Sequence, residues 1–139
     1  TVSHMLVRDG EGASKVIHIT VTGAGSDEDA RTVARSVGHS QLVKTAIYGG
    51  DANWGRIVTA VGYSGAKFDP TKVSMKLCGI ERFRKGCPVN EDQEDALAQL
   101  LKAKDVQVEI DLGGGTGCYN FQASDLGHEY VSLNSDYRS

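Results

Sequence analysis

Val106-Gln107-Val108-Glu109-Ile110-Asp111-Leu112 alternates apolar and polar residues without a break. Period two is the mark of a strand with one buried face and one wet face. Gly113-Gly114-Gly115-Thr116-Gly117 ends it, and Cys118-Tyr119-Asn120-Phe121-Gln122-Ala123 reads as another strand. The two are expected to form a hairpin closed by a long glycine loop. Upstream, Asn90-Glu91-Asp92-Gln93 opens a helix whose Ala96, Leu97, Leu100 and Leu101 make one apolar stripe, with Lys102 and Lys104 at its C-terminal end. Before that helix, Lys72 to Cys78 alternates again as a half-exposed strand, and Ile80 and Phe83 extend it or pair with it.

Turn chemistry at Ser64-Gly65 and Asp69-Pro70 makes 62–70 the internal boundary. On its N-terminal side, Lys15 to Thr22 is β-branched and reads as a strand ended by Gly23-Ala24-Gly25. Ser26 then caps a helix carrying Asp27, Glu28 and Asp29 in its first turn and running through Val33 and Val37 to about Gly38. Ser40 caps a second helical piece, Leu42 to Ile47, and a third runs from Trp54 to about Tyr63, with Asp51 as its expected cap. The order β-α-α-α then β-α-β-β indicates an α+β fold with mixed sheets packed on helices, as one domain or two small lobes. The divisions are 1–5, 6–66 and 67–139, the last ending in a docked C-terminus.

The chain has 139 residues, with 15 Lys+Arg against 18 Asp+Glu and a formal charge of -3. A protein that grips phosphate backbones normally shows a basic stripe, so nucleic acid is not an expected partner. The longest apolar run is only a few residues, too short for a bilayer span, and the N-terminal residues lack the order of a secretory signal. Cys78, Cys87 and Cys118 form no C-x-x-C, and an odd count suits a reducing compartment. His4, His18, His39 and His128 include no pair at the spacing of a helical zinc site, so no metal is expected.

With 17 Gly against 2 Pro and no strict period, the glycine clusters mark tight turns or close backbone approaches. Gly113 to Gly117 leads into a strand rather than a helix and has no Lys-Ser/Thr pair after it, so a connector is favoured over a phosphate loop. In Asp9-Gly10-Glu11-Gly12-Ala13-Ser14-Lys15, Glu11 lies between two glycines. Either this is an acidic turn before a strand, or its carboxylate is placed to receive an ammonium or amide N–H. Tyr48-Gly49-Gly50-Asp51-Ala52-Asn53-Trp54-Gly55-Arg56-Ile57 holds the chain's one Trp. Two readings stand open there, a ligand-binding Trp beside Arg56 or a Trp that anchors the loop to the core. The segment from Glu129 to Ser139 is aromatic and apolar enough to dock, presenting Asn134, Ser139 and the terminal carboxylate.

DGEGASK, SQLVKTAIYGGDANWGRI and HEYVSLNSDYRS resemble, in order and spacing, the C-terminal part of the ornithine acetyltransferases, the glutamate N-acetyltransferases of cyclic arginine biosynthesis. The resemblance runs from about Leu6 to Ser139. It implies an enzyme that cleaves itself before a threonine and uses that threonine to carry acetyl from N-acetylornithine to glutamate, with acetyl-CoA as a further donor in some relatives. It implies that the nucleophile and oxyanion donors lie in the earlier part of such a protein, so this chain contributes no catalytic residue and needs no cofactor. What carries over is substrate binding by Glu11, Asn134 and Ser139, with Glu11 on the amino side of the substrate. A missing N-terminal part, an oligomer and a cytoplasmic location are implied partners and place. Ser14, Gln41 and Ala52 depart from the usual Thr, Pro and Pro at structural positions.

Thr1 is an N-terminal threonine, yet Thr1-Val2-Ser3-His4-Met5 does not resemble the family's cleavage site. Residues 1–5 are expected to be a cloning remnant. Three readings follow. A C-terminal piece of such an acetyltransferase, inactive alone, predicts a large apolar patch where the rest would pack. A free-standing amino-acid-binding or assembly domain predicts a closed polar surface. An amidohydrolase using Thr1 requires that residue beside a pocket.

Overall fold

A computed structural model of the chain describes residues 15–51, 53–124 and 129–131. Strand β1 (Val16–Ala24) is rich in Val, Ile and Thr, whose stiff branched side chains suit a pleated surface. Ser26 ends the following turn by accepting from the Asp29 N–H at 3.1 Å, which caps α1 (Asp27–His39). Ser40 does the same for α2 (Gln41–Tyr48), accepting from the Val43 N–H at 3.2 Å. Helix α3 (Trp54–Gly62) follows, then a 3-10 turn over Pro70–Lys72 and the strands β2 (Ser74–Leu77), β3 (Ile80–Arg84) and β4 (Cys87–Pro88). A second 3-10 turn over Glu91–Gln93 leads into α4 (Glu94–Leu100), and β5 (Asp105–Asp111), β6 (Gly117–Ser124) and β7 (Glu129–Val131) complete the order.

The seven strands among the described residues join one mixed sheet in the order β4-β3-β2-β5-β1-β6-β7. The α+β class therefore holds, with helices packed on the sheet. β1 precedes the 62–70 boundary in sequence, yet it lies among strands that follow it, parallel to β5 and antiparallel to β6.

That insertion overturns the expected hairpin. β5 and β6 do not pair with each other; β1 stands between them, and residues 113–116 cross its end. Period two reveals which face of a strand is buried but says nothing about its neighbours. At the crossing, Leu112 donates to Thr22 O at 2.9 Å and Gly114 to Gly23 O at 2.7 Å. A Cβ on Gly115 would stand 2.5 Å from Ala24 O, and one on Gly117 would stand 2.2 Å from Ser26 O. The glycine run is where backbone passes over backbone.

Ile17, Ile19 and Val21 of β1, Val106, Val108 and Ile110 of β5, and Phe121 of β6 are buried with Val33 and Val37 of α1. The apolar stripe expected on α4 is narrower than the sequence suggested. Leu97 and Leu101 are fully buried, while Ala96 is exposed and Leu100 is 43% exposed. The first turn is 3-10 over Glu91–Gln93, so the regular helix is short and only its i, i+4 ridge meets the core.

The alternate residues of the central strands make a polar face: His18, Thr20 and Thr22 lie beside Gln107, Glu109 and Asp111. The exposed large hydrophobics among the described residues are Leu42, Tyr63 and Leu100, on or next to three different helices. The broad apolar patch expected of a piece is not among them; the broad face is hydrophilic. No helix among the described residues is long and apolar enough to cross a membrane.

Candidate functional site

Glu11, Asn134 and Ser139, the residues expected to bind substrate, lie outside the described residues, as does Thr1. The nearest described residues are Lys15, four positions after Glu11, and Val131, three before Asn134. Lys15, which closes DGEGASK, is half-buried at the head of β1, and its Nζ donates to Leu101 O and to Ile47 O, the latter at 3.4 Å. Ile47 lies in the last turn of α2, and Leu101 is the residue that caps α4. Ile47 O also accepts from the Gly50 N–H at 3.1 Å, and the last carbonyls of a helix carry the negative end of its dipole, which favours a cation there.

Ile47 leads straight into the Tyr48–Arg56 loop. Gly50, at φ +75°, and the Asp51 N–H, which donates to Ala46 O at 2.8 Å, close the end of α2. Asp51 is therefore not the cap of α3. Asn53 holds that position, without a side-chain hydrogen bond. The Trp54 ring lies 5.7 Å from the Phe83 ring at a tilt of 41°, packed against the core. Arg56 Nη1 donates to Leu42 O at 3.0 Å, tying α3 to α2. Of the two readings open for this loop, the anchoring one matches the geometry.

On the polar face, His18 Nε2 lies 2.9 Å from Asp105 Oδ1, and its Nδ1 lies 3.3 Å from Gln122 Nε2. With an ionised Asp105, Nε2 carries the proton and donates, while Nδ1 accepts from the amide. Asp105 thus sets the imidazole's tautomer and orientation. A shallow cavity of about 260 Å³ lies further along, lined by Thr20, Thr22, Lys76, Glu81, Glu109 and Asp111. Its carboxylates and hydroxyls could receive a cationic group, but every polar side chain lining it is partly or fully exposed. Arg84 holds one of these carboxyls, Glu81, below the usual carboxylate range by donating to Oε1 from Nε at 2.9 Å and from Nη2 at 2.5 Å.

Neither the Lys15 junction nor the His18–Asp105 pair emerged from the sequence. Their partners lie 32, 86 and 87 positions away, and no local pattern encodes such a separation.

A family model described as the ArgJ family matches residues 1–139. The arginine biosynthesis bifunctional protein ArgJ of Nitratidesulfovibrio vulgaris is 58% identical over 138 residues, covering 99% of this chain and 35% of that protein. The protein of the same name from Syntrophotalea carbinolica is 47% identical, again over 99% of this chain and 35% of its own length. A crystal structure of arginine biosynthesis bifunctional protein argJ from Bacillus halodurans superposes with a TM-score of 0.79 at 40% identity, covering 98% of this chain and 64% of that one. The chain spans about a third of the length of these curated relatives.

Proposed function

The chain belongs to the ArgJ family, and on that premise we propose that it is the C-terminal, substrate-binding portion of a glutamate N-acetyltransferase of arginine biosynthesis. In this reading a threonine hydroxyl attacks the acetyl carbonyl of N-acetylornithine. The C–N bond breaks, ornithine leaves with the hydroxyl's proton, and an acetyl-threonine ester remains. The amine of glutamate then attacks that ester, forming the new amide and restoring the hydroxyl. Splitting one acyl transfer into two steps lowers each barrier, and oriented donors stabilise the oxyanion of each tetrahedral intermediate. The threonine, freed by self-cleavage, and those donors belong to the part of the relatives' length that this chain does not span. The segment alone is therefore inactive, and in the cytoplasm it works joined to that part.

The role of this chain's own residues is to bind. Glu11, between glycines, offers a carboxylate to the amino side of the substrate through a charge-assisted hydrogen bond. Asn134 and Ser139 hold the other polar substrate groups. The observation that carries the reading is the match of the whole chain, 1–139, to one family.

Glu11→Ala in the complete enzyme tests it. A KM raised about ten-fold or more for N-acetylornithine or glutamate is expected, whereas unchanged KM values for both would sink the role of Glu11. Incubating the isolated chain with N-acetylornithine is expected to leave its intact mass unaltered. An acetyl adduct on Thr1 would make the segment a self-sufficient N-terminal nucleophile enzyme instead.

A further inference from the structure

Arg82 is fully buried on β3, and its Nε, Nη1 and Nη2 have no hydrogen-bond partner. A guanidinium presents five N–H donors in a rigid fork and keeps its charge at accessible pH, so it cannot relieve its burial by losing a proton. The backbone that carries it is tied on both sides of the residue. The Val89 N–H donates to Arg82 O at 3.0 Å, and Asn90 Nδ2 donates to Glu81 O at 2.8 Å. Arg82 is also the extra residue where β3 loses register with β2, between the Glu81–Lys76 and Phe83–Met75 pairs. Irregularities of this kind re-aim a side chain, and here the side chain is aimed inwards.

Glu94 marks the way from the guanidinium to solvent. Its Oε1 stands 3.9 Å from Nη2, beyond hydrogen-bond reach, and its side chain is 63% exposed. One end of a fully enclosed cation therefore lies beside a group that stands mostly in water, at the first residue of α4. At that distance and exposure the carboxylate is screened and leaves the N–H donors unsatisfied.

We propose that Arg82 is the core of a binding site for a small monovalent anion of the chloride class, entered beside Glu94, with the Glu94 carboxylate as its built-in competitor. An anion takes N–H donors of a cation more strongly than a neutral acceptor does. Full enclosure selects a small ion of single charge, which leaves water more readily than a multiply charged one. Glu94 repels an anion that approaches Nη2, and being largely in water it turns aside at little cost when one binds. The site is independent of the substrate-binding reading given above.

The test uses the complete enzyme, melted at constant ionic strength while chloride replaces gluconate, a monovalent anion too large to be enclosed. The same protein is crystallised in bromide, whose anomalous scattering locates the ion. Raising chloride from about 10 to about 500 mM is expected to lift the melting temperature of the parent by about 2 °C or more. A bromide peak is expected within about 4 Å of the Arg82 guanidinium. Arg82→Met, or Arg82→Gln where the first does not fold, is expected to lose both the response and the peak. Glu94→Gln is expected to reach half of its chloride response at a concentration about three-fold lower than the parent. A parent that does not respond to chloride overturns the proposal, as does an equal response in the Arg82 variant or a bromide ion found only elsewhere. An unchanged half-response in Glu94→Gln would place the anion away from that opening, and it too overturns the proposal.

Discussion

The backbone N–H of Cys118 donates to Asp27 Oδ1 at 3.0 Å, joining the start of β6 to the first turn of α1 across 91 positions of sequence. That bond is reached only because the chain crosses the end of β1 at close quarters, and the crossing accounts for the glycines there.

Those glycines are not equivalent. A Cβ on Gly117 would lie 2.2 Å from Ser26 O and 2.9 Å from Asp27 N, both backbone atoms that cannot yield cheaply. A Cβ on Gly114 would meet nothing closer than 3.6 Å, and Gly114 has no positive φ. Gly117→Ala is expected to cost about 2 kcal/mol or more, and Gly114→Ala to lie between neutral and about 1 kcal/mol stabilising through a stiffer unfolded chain. Urea unfolding midpoints check both. Similar losses in the two variants would show that the crossing is looser than the distances say.

The cysteines differ in a way that alkylation reads directly. Burial is the main cause pushing the Cys78 thiol above its ordinary pKa, although the Gln107 peptide and Lys15 oppose it, and Cys87 is exposed at the edge strand β4. The thiolate is the reactive form. In the native protein at pH 8, iodoacetamide followed by peptide mapping is expected to label Cys87 well before Cys78. Equal rates at the two positions would contradict the burial of Cys78.

What the sequence made legible was local. Ser26 and Ser40 as caps lie three residues from the N–H groups they satisfy, and the alternation of 106–112 is contained in the strand itself. What it hid was pairing at distance. Nothing near Val106 or Cys118 announces that β1 separates their strands, and Asp105 meets His18 only because β5 runs parallel to β1 with Val16 opposite Asp105. β4 is two residues long and has no period to detect. The expectation for Glu11, Asn134 and Ser139 came from resemblance alone, since a carboxylate between glycines also fits an acidic turn, and all three lie outside the described residues.

Acid should loosen the turn before β2. Asp69 Oδ1 accepts from Thr71 Oγ1 at 2.7 Å and from the Thr71 N–H at 3.0 Å, and these two bonds hold its carboxyl below the usual range. A depressed folded-state pKa means the ionised form is favoured by folding. That contribution is fully present above the unfolded-state value near 4 and is lost as pH falls through the lower folded-state value. Comparing the parent with Asp69→Asn from pH 6 down to pH 2 is expected to show a shallower acid loss in the variant. Parallel curves would mean that the Thr71 bonds contribute nothing to folding.

Arg82 is the most anomalous charge among the described residues. It is fully buried on β3, and its Nε, Nη1 and Nη2 have no hydrogen-bond partner. The carboxylate approaching it is Glu94, whose Oε1 stands 3.9 Å from Nη2 and whose side chain is 63% exposed. A guanidinium does not shed its proton at accessible pH, so it cannot escape the desolvation cost by neutralising. The pairing with Glu94 is too long for a hydrogen bond and is screened by solvent, so it offsets little of that cost. Arg82 also sits where β3 loses register with β2, between the Glu81–Lys76 and Phe83–Met75 pairs, so the extra residue of an irregular strand carries the buried charge. Replacing a buried, poorly paired ion with an apolar side chain of similar length is commonly stabilising. Arg82→Met is expected to raise the unfolding free energy by about 1–3 kcal/mol, and Glu94→Gln to lower it by less than about 1 kcal/mol because that group is largely in water. Denaturant titration of the two variants decides the matter. A clear loss of stability in Arg82→Met would mean that the guanidinium is worth more where it sits than its missing hydrogen bonds imply.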